Sequence, residues 1–348
     1  MSPGADIPVW KEAPPAGEAE EARLYAMYSS VWGGIVTDPR WMTVPVNDHL
    51  VHRGDGVFET IKCVKGFLYQ YEAHLDRLER SAASISLANH PDRAQITRAV
   101  KATVRAGDHP DCLVRILLSR GPGGMGIDPR ECPTPGLYII VYPCPPPFME
   151  RHPGGASIAF SPIPAKAGML ASVKSCNYLP NALMKLDAAR SGVDFTFGLD
   201  EQGHLSEGPT ENLGVVNGKG LLLIPEPGRI LDGTTMLRVY ELADRLIRDD
   251  LLTGKQRTGI TLEEVNRASE ILIFGTTTDV TAVVEINHKP VGDGTPGPVF
   301  QALSCLLRDE QYEPPTAHHT DTGFTAPQSA RVVADPTTGS ANLPGQGR

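Results

Sequence analysis

The sequence predicts an α+β protein built from two domains. Its 348 residues exceed the usual size of a single domain. Helical and extended stretches follow one another without the regular strand–helix–strand alternation of a parallel α/β fold. The run "CPPP" begins a linker at residues 144–155, because consecutive prolines continue neither a helix nor a central strand. We therefore expect a small α+β sandwich domain at 25–143 and a larger domain at 156–312.

The smaller domain is predicted from a change in hydrophobic period. The strand-like stretches "SSVWGGIVT" and "MTVPV" come first. Alternating apolar residues on either side of Lys65-Gly66 in "GVFETIKCVKGFLYQY" then predict a β-hairpin. A helix follows, with one apolar stripe of Leu75, Leu78, Ala82 and Ile85. A second helix, "DRAQITRAVKATVRAG", and the strands "CLVRILLSRG" and "GLYIIVYP" complete this domain.

The larger domain is predicted to be a β-barrel-like unit with packed helices. Its strands are "ASIAFSP", "DFTFGLD", "NLGVVNG", "GLLLIPE", "ASEILIFG" and "VTAVVEI", and its two clear helices are "YLPNALMKLDAARSG" and "TTMLRVYELADRLIRDD". The sequence contains neither GxGxxG nor GxxxxGK[ST], so phosphate binding of the Rossmann or P-loop kind is not indicated.

Both ends of the chain have the composition of disordered tails. Residues 1–24 are rich in Pro, Ala and Glu, and residues 313–348 are rich in Pro, Thr, Gly and Ser. The N-terminus lacks the basic and apolar regions of a secretory signal, and it is too acidic for a transit peptide. These features predict a cytoplasmic protein.

Charge and cysteine usage exclude several classes of partner. The net charge is −9 and no basic block occurs, which argues against nucleic acid. No stretch approaches the ~20 apolar residues that span a bilayer, so no membrane partner is expected. The six cysteines show no paired spacing, which predicts reduced thiols and no metal site.

Separate fragments carry the groups that one cofactor requires. Taken singly, each has an ordinary explanation, such as a solvated lysine, a turn carboxylate or a helix cap. Pyridoxal phosphate needs a lysine for its aldehyde and a carboxylate that keeps its ring nitrogen protonated. Its phosphate suits hydroxyls at a helix N-terminus and a guanidinium. These four roles are matched in turn by Lys174, Glu207, the pair Thr234 and Thr235, and Arg77.

The motifs and their order resemble those of the fold-type IV pyridoxal-phosphate enzymes. This family comprises D-amino-acid transaminases, branched-chain aminotransferases, (R)-selective amine transaminases and aminodeoxychorismate lyases. The matching motifs are "HRGDGVFET", "HLDRLERSA", "KSCNYLPNALMK", "EGPTEN", "ILDGTT" and "GTTTDVTAVVEI". The likeness spans about residues 26–312. "MYSS", "GGIVTDP" and "VNDHLVHRGDGVFET" are most similar to the plant-type D-amino-acid transaminase-like branch.

The resemblance implies a role for each motif residue. Lys174 would form a Schiff base with the cofactor aldehyde and move the substrate α-proton, and Glu207 would pair with the ring nitrogen. Leu231 would pack on the ring. The implied contacts to the phosphate come from Arg77, Thr234, Thr235, Thr276 and Thr277. The implied contacts to the substrate come from the turn residues Thr277 and Thr278. The resemblance also implies a homodimer in which the loop 120–129 caps the partner's active site.

Two segments distinguish activities within the family. Lyases of the family carry a threonine where Glu59 stands, so Glu59 favours a transaminase and is a candidate substrate contact. The loop "LSRGPGGMGIDP" resembles the lyase loop "SRGxGGRGY", but Met125 and Ile127 replace its arginine and tyrosine. D-amino-acid transaminases grip the substrate carboxylate with an Arg and a His on this loop. Here Arg120 and Arg130 are the candidates, without a histidine.

The sequence therefore predicts a transaminase that uses pyridoxal phosphate. Its donor would be a D-amino acid, a branched-chain amino acid or an (R)-amine, and its acceptor a 2-keto acid. Two alternatives stay open at this point: a carbon–carbon lyase of the same family, and a non-catalytic protein that binds the cofactor.

Overall fold

The smaller domain is one antiparallel sheet with two long helices. The computed structural model describes residues 24–164 and 166–325. The strands of this domain are β1 (Ala26–Ser29), β2 (Gly34–Val36), β3 (Gly56–Val64), β4 (Phe67–Tyr69), β5 (Cys112–Ser119), β6 (Gly136–Tyr142) and, from the far end of the chain, β15 (His319–Asp321). They lie in the order β15-β4-β3-β5-β6-β1-β2. The helices are α1 (His49–Arg53), α2 (Tyr71–Ser84) and α3 (Arg93–Gly107).

Strand β3 is the central strand that faces both the core and the other domain. Its nine residues are almost all buried, on both faces. Because side chains alternate along a strand, Glu59 and Ile61 point towards α2, and Phe58, Thr60 and Lys62 point towards the larger domain. This strand therefore forms one wall of the cleft between the domains.

The larger domain contains a mixed sheet covered by helices. Its strands are β7 (Ala156–Phe160), β8 (Phe195–Phe197), β9 (Asn212–Val216), β10 (Leu221–Ile224), β11 (Gly254–Arg257), β12 (Glu270–Gly275), β13 (Asp279–Ile286) and β14 (Lys289–Pro290). The strand order is β11-β10-β9-β12-β13-β7-β8, with β14 paired to β13. The helices are α5 (Leu179–Ser191), α6 (Thr234–Arg248), α7 (Leu262–Asn266) and α8 (Pro298–Tyr312). The fold class is α+β, as predicted.

The segment between the domains is short and partly helical. Strand β6 ends at Tyr142 and β7 begins at Ala156. Between them lies α4 (Phe148–Arg151), whose Phe148 is buried in the larger domain's core. One face of the large sheet packs against α6 and α8, which bury Met236, Val239, Leu303 and Leu307.

The prediction that the chain is disordered from residue 313 is wrong for residues 313–325. Strand β15 pairs with β4 and extends the small-domain sheet. Thr322 is fully buried, where its hydroxyl donates to the Gly66 carbonyl at 2.6 Å and its own carbonyl accepts from Arg105 at 2.7 Å. Main-chain pairing holds this polar segment, so it needs no apolar periodicity. The predicted tails at 1–23 and 326–348 lie outside the described residues.

Two further elements differ from the sequence predictions. The strand predicted in "MTVPV" does not form, because Pro45 lacks an N–H and its carbonyl closes a turn with the amide of Asp48. Helix α8 was not among the predicted helices, although Gly297-Pro298 begins it in the usual way. Within the described residues, no helix combines the length and apolarity needed to cross a membrane.

Candidate active site

Lys174 lies where the two domains meet. Its carbonyl accepts from the Phe58 amide at 2.9 Å, and its own amide donates to the Ser81 hydroxyl at 3.2 Å. The side chain is partly buried, with Nζ at 4.8 Å from the Phe58 ring centre and 3.5 Å from Tyr178 Oη. Among the described residues it has no carboxylate partner within ion-pair distance. Burial, assisted by the positive charge of Arg77, lowers the pKa of Lys174 to about 8.

Glu207 is a partly buried carboxylate that also lacks an ion pair within the described chain. Its Oε2 accepts from the Leu231 amide at 3.0 Å. The Leu231 carbonyl is in turn held by the Asn212 side chain at 2.9 Å. Burial raises the pKa of Glu207 to about 7, although the Leu231 N–H and the nearby Lys166 and Lys174 oppose the rise. A partly buried carboxylate without an ion pair is suited to accept a hydrogen bond from a cationic N–H donor, such as a protonated pyridine nitrogen.

The N-terminus of α6 forms a small cradle suited to an anion. Its N-cap residue, Gly233, supplies no side-chain cap to the first amides of the helix. Thr234, Thr235 and Thr276 line a small cavity there. A Cβ at position 233 would lie 1.9 Å from the Asn212 side-chain oxygen, so the close approach requires glycine. Free amides, hydroxyls and the helix dipole together fit a phosphate group.

A network of buried hydrogen bonds lies next to this small cavity, which we call the phosphate cavity. Arg77 donates to both oxygens of Glu59, at 2.8 and 2.7 Å, and to the Asp232 carbonyl at 2.9 Å. His74 Nδ1 lies 2.7 Å from the Glu59 carboxylate, and its Nε2 lies 3.2 Å from the Thr234 hydroxyl. Burial alone would raise the pKa of Glu59, but the charge and hydrogen bonds of Arg77, together with those of His74, outweigh burial and bring the pKa to about 2.

The prediction that Glu59 contacts the substrate is therefore wrong. Its side chain is fully buried on the α2 face of β3, and both carboxylate oxygens are occupied by Arg77 and His74. Its neighbours Phe58 and Thr60 face the cleft instead. His74, which the sequence analysis missed, lies one helical turn before Arg77 in "HLDRL", on the same face of α2.

A cavity of about 340 Å³ lies in front of Lys174. It is lined by Phe58, Thr60, Arg115, Leu117, Tyr142, Lys174, Cys176, Tyr178, Thr210, Thr276 and Thr277. Thr276 lines both this cavity and the phosphate cavity, so the turn before β13 separates the two. Thr278 lines neither cavity, and its buried hydroxyl has no hydrogen-bond partner among the described residues.

Arg115 is the cavity cation that the sequence analysis missed. Its guanidinium carbon lies 5.4 Å from the Phe58 ring centre and 5.6 Å from that of Tyr142. Its Nε donates to the Thr60 hydroxyl at 3.3 Å, and within the described chain it has no carboxylate partner. A lone arginine in the apolar strand "CLVRILLS" was the available signal.

The two arginines predicted to bind substrate lie away from this cavity. Arg120 pairs with Asp55 at 3.0 Å and donates to the carbonyls of Ile85 and Ser86. These contacts occupy its guanidinium, so the prediction is wrong for Arg120 within its own subunit. Arg130 is 89% exposed and pairs with Asp128. The contacts predicted for Leu231 with the ring and for Arg77 with the phosphate stay predictions.

Comparisons with known proteins find similarity along most of the chain. Residues 56–286 match the family model described as amino-transferase class IV. A D-amino-acid transaminase, chloroplastic, of Arabidopsis thaliana is 36% identical over 296 residues, which cover 84% of this chain and 79% of the relative. A D-alanine aminotransferase of Bacillus licheniformis is 26% identical over 266 residues, which cover 76% of this chain and 91% of the relative.

Solved structures give the same result for the fold. The branched-chain aminotransferase of the thermophilic archaeon Thermoproteus uzoniensis with norvaline superposes with a TM-score of 0.76 at 24% identity, covering 86% of this chain and 99% of that chain. A hypothetical aminotransferase from Mycobacterium tuberculosis, in its PLP-bound form, gives a TM-score of 0.69 at 25% identity, covering 82% of this chain and 98% of that chain.

Proposed function

Because the chain belongs to the class IV aminotransferases, a family that uses pyridoxal phosphate, we propose that Lys174 is its reactive lysine and Glu207 its ring-nitrogen partner. One observation carries this assignment. An amine and a carboxylate, each without an ion pair in the described chain, lie close enough to shift each other's pKa at one cleft. The relatives named above are all aminotransferases, so neither a lyase nor a non-catalytic protein is proposed.

The residues of the cleft divide the chemistry among them. Bound pyridoxal phosphate supplies an electron sink for the carbanion left when the substrate α-proton departs. Lys174 Nζ takes that proton and returns it, since a pKa of about 8 leaves part of the amine neutral near physiological pH. Glu207 accepts the ring N–H and keeps the ring charged. Tyr178, 3.5 Å from Nζ, orients the amine.

The phosphate cavity holds the cofactor in place under this proposal. Thr235 and Thr276 offer hydroxyls, and the amides of Thr234 and Thr235 point from the start of α6. The Thr234 hydroxyl is already engaged by His74, so its amide is the more available donor. Arg77 fixes the Asp232 carbonyl beside this helix start, and its permanent positive charge is balanced by Glu59.

Arg115 favours a substrate that carries a carboxylate. It presents a partly buried guanidinium to the cavity, and the Thr276–Thr277 turn borders the same space. A carboxylate is the natural partner for a partly buried guanidinium that has no carboxylate within the described chain. We therefore propose that the donor is an amino acid, either a D-amino acid or a branched-chain amino acid, rather than a simple (R)-amine. A 2-keto acid is the acceptor.

A donor panel tests this proposal. D-alanine, L-leucine and (R)-1-phenylethylamine are each assayed with pyruvate and with 2-oxoglutarate. We expect transamination of an amino acid by the wild type, and a rise of about tenfold or more in its KM in Arg115→Met. Arg267→Met removes an arginine that is 78% exposed after α7 and does not line this cavity, and it serves as the matched control. Equal use of the amine and the amino acids, unaltered in Arg115→Met, would contradict a carboxylate site.

We also propose that the protein is a homodimer. The 120–132 loop and its surroundings expose large apolar side chains: Trp41, Val46, Met125 and Ile127. Helix α5 exposes Leu179, Leu183 and Leu186, which share one helix face. Apolar surface of this kind is typical of subunit contacts. A cytoplasmic location is likewise a proposal, supported by the six cysteines, all of which are free thiols in the described chain.

A further inference from the structure

Lys62 joins the two domains through a buried polar cluster. Its Nζ lies 2.5 Å from Asp279 Oδ1 and donates to Gln311 Oε1 at 3.3 Å. The Gln311 amide donates to the same Asp279 oxygen at 3.0 Å. The Lys62 side chain is only 3% exposed. We call these three residues the Lys62 clasp. It connects β3 of the smaller domain to β13 and α8 of the larger one.

The clasp holds the end of a functionally placed turn. Gly275 pairs with Asp279 across the β12–β13 hairpin, so Thr276, Thr277 and Thr278 form the connection. Asp279 has a φ of +51°, a left-handed conformation that non-glycine residues rarely adopt. The hydrogen bonds that its carboxylate accepts from Lys62 and Gln311 stabilise that backbone. Because Asp279 directly follows the connection, the hydrogen bonds that hold Asp279 also hold the Thr276–Thr278 connection in place.

The position of this connection matters to both cavities. Thr276 lines the phosphate cavity together with Thr234 and Thr235, and it also lines the cavity in front of Lys174. Lys62 itself lines the phosphate cavity. A shift of the turn would therefore move the Thr276 hydroxyl, which faces the phosphate cavity, away from the start of α6. Small displacements of a supporting residue are enough to weaken binding at such a site.

We propose that Lys62 is a positioning residue for the cofactor phosphate, acting through Asp279 on the Thr276–Thr278 turn. The proposal rests on the placement of the phosphate at the start of α6. Lys62 need not touch the phosphate. Its contribution is to hold the Thr276 hydroxyl at the correct distance from the start of α6, on the opposite wall of the phosphate cavity.

The test compares two ligands of the full-length protein that differ only in the phosphate. Pyridoxal phosphate and pyridoxal are titrated against the wild type and Lys62→Met, with the absorbance of the bound ligand as the readout. Lys62→Met should bind pyridoxal phosphate about tenfold more weakly, which corresponds to one hydrogen bond to a charged group. Its affinity for pyridoxal should not change. Lys62→Arg keeps a cation beside Asp279 and should restore most of the phosphate-dependent affinity.

Lys65→Met is the matched control. Lys65 directly follows β3, near Lys62. It donates to the carbonyl of Tyr312, next to Gln311, but it does not contact Asp279. It should leave both affinities unchanged. If Lys62→Met does not fold, Gln311→Met replaces it, because that variant weakens the clasp without leaving a buried charge unpaired. It should show the same selective loss.

The outcomes separate this inference from the placement on which it rests. Thr235→Ala should also weaken pyridoxal phosphate and spare pyridoxal. If it does not, the phosphate lies elsewhere and both ideas fail. If Thr235→Ala shows the selective loss and the clasp variants do not, only the role of Lys62 is overturned. An equal loss of both ligands in Lys62→Met would show a general disruption of domain packing and would also overturn it.

Discussion

Replacing Glu207 with glutamine removes a charge and preserves the shape of the side chain. The glutamine can still accept from the Leu231 amide, so the local structure should hold. It cannot supply the negative charge that stabilises a protonated ring nitrogen. The variant therefore separates the electrostatic contribution of Glu207 from its packing.

The size of the effect follows from the perturbed pKa. Burial raises the pKa of Glu207 from 4.5 to about 7. At about 1.4 kcal/mol per pKa unit, the ionised carboxylate costs the cofactor-free fold at most about 3.5 kcal/mol. The folded protein holds this proton more tightly than the unfolded chain does. The cost is therefore absent below pH 4.5, grows as the pH rises to 7, and is complete above it.

Two measurements check this reasoning. In urea unfolding at pH 8, cofactor-free Glu207→Gln should be more stable than the wild type by up to about 3.5 kcal/mol, and most of that difference should vanish at pH 5. With cofactor bound, turnover of the variant should fall on the order of 10²-fold, because the ring becomes a poorer electron sink. Glu201→Gln, in the exposed turn before it, is the control. Near-normal turnover, or a stability difference that ignores pH, would refute the assignment.

Two other predictions concern the amine and the assembly. The rate at which cofactor-free protein takes up pyridoxal phosphate should rise about tenfold per pH unit below pH 8 and level off above it, because only neutral Lys174 attacks an aldehyde; stopped-flow absorbance measures this, and a flat profile would argue against Lys174. The molar mass from light scattering should be that of a dimer for the wild type and of a monomer for Leu183→Glu, which places a charge on the exposed apolar face of α5. Lys185→Glu changes a charge elsewhere on α5 and, as the control, should remain a dimer. A wild-type monomer with full activity would contradict the dimer.

Local motifs located much of the site in advance. Lys174, Glu207 and Thr235 each stand within a short, recognisable stretch, and the structure brings these stretches to one cleft. Their roles in the reaction stay predictions. The fold class was also accessible, because hydrophobic period separates strands from helices without reference to distant residues.

The errors came from relations between distant segments. Whether Glu59 or Phe58 faces the cleft depends on which side of β3 packs against α2, and a change of one residue reverses the answer. Arg115 enters the cavity because its strand places it opposite Thr60, far away in the chain. The Lys62 contact with Asp279 spans 217 positions. No local pattern encodes such pairings. Helix α8, by contrast, could have been found from Gly297-Pro298 and the spacing of its apolar residues.

Strand β15 has a consequence for how the two domains are joined. The chain leaves α8 in the larger domain, and β15 then pairs with the edge strand β4 in the smaller domain. Residues 313–318 are therefore a second connection between the domains, in addition to the segment between β6 and β7. A hinge motion that separated the two domains would have to bend both of these connections.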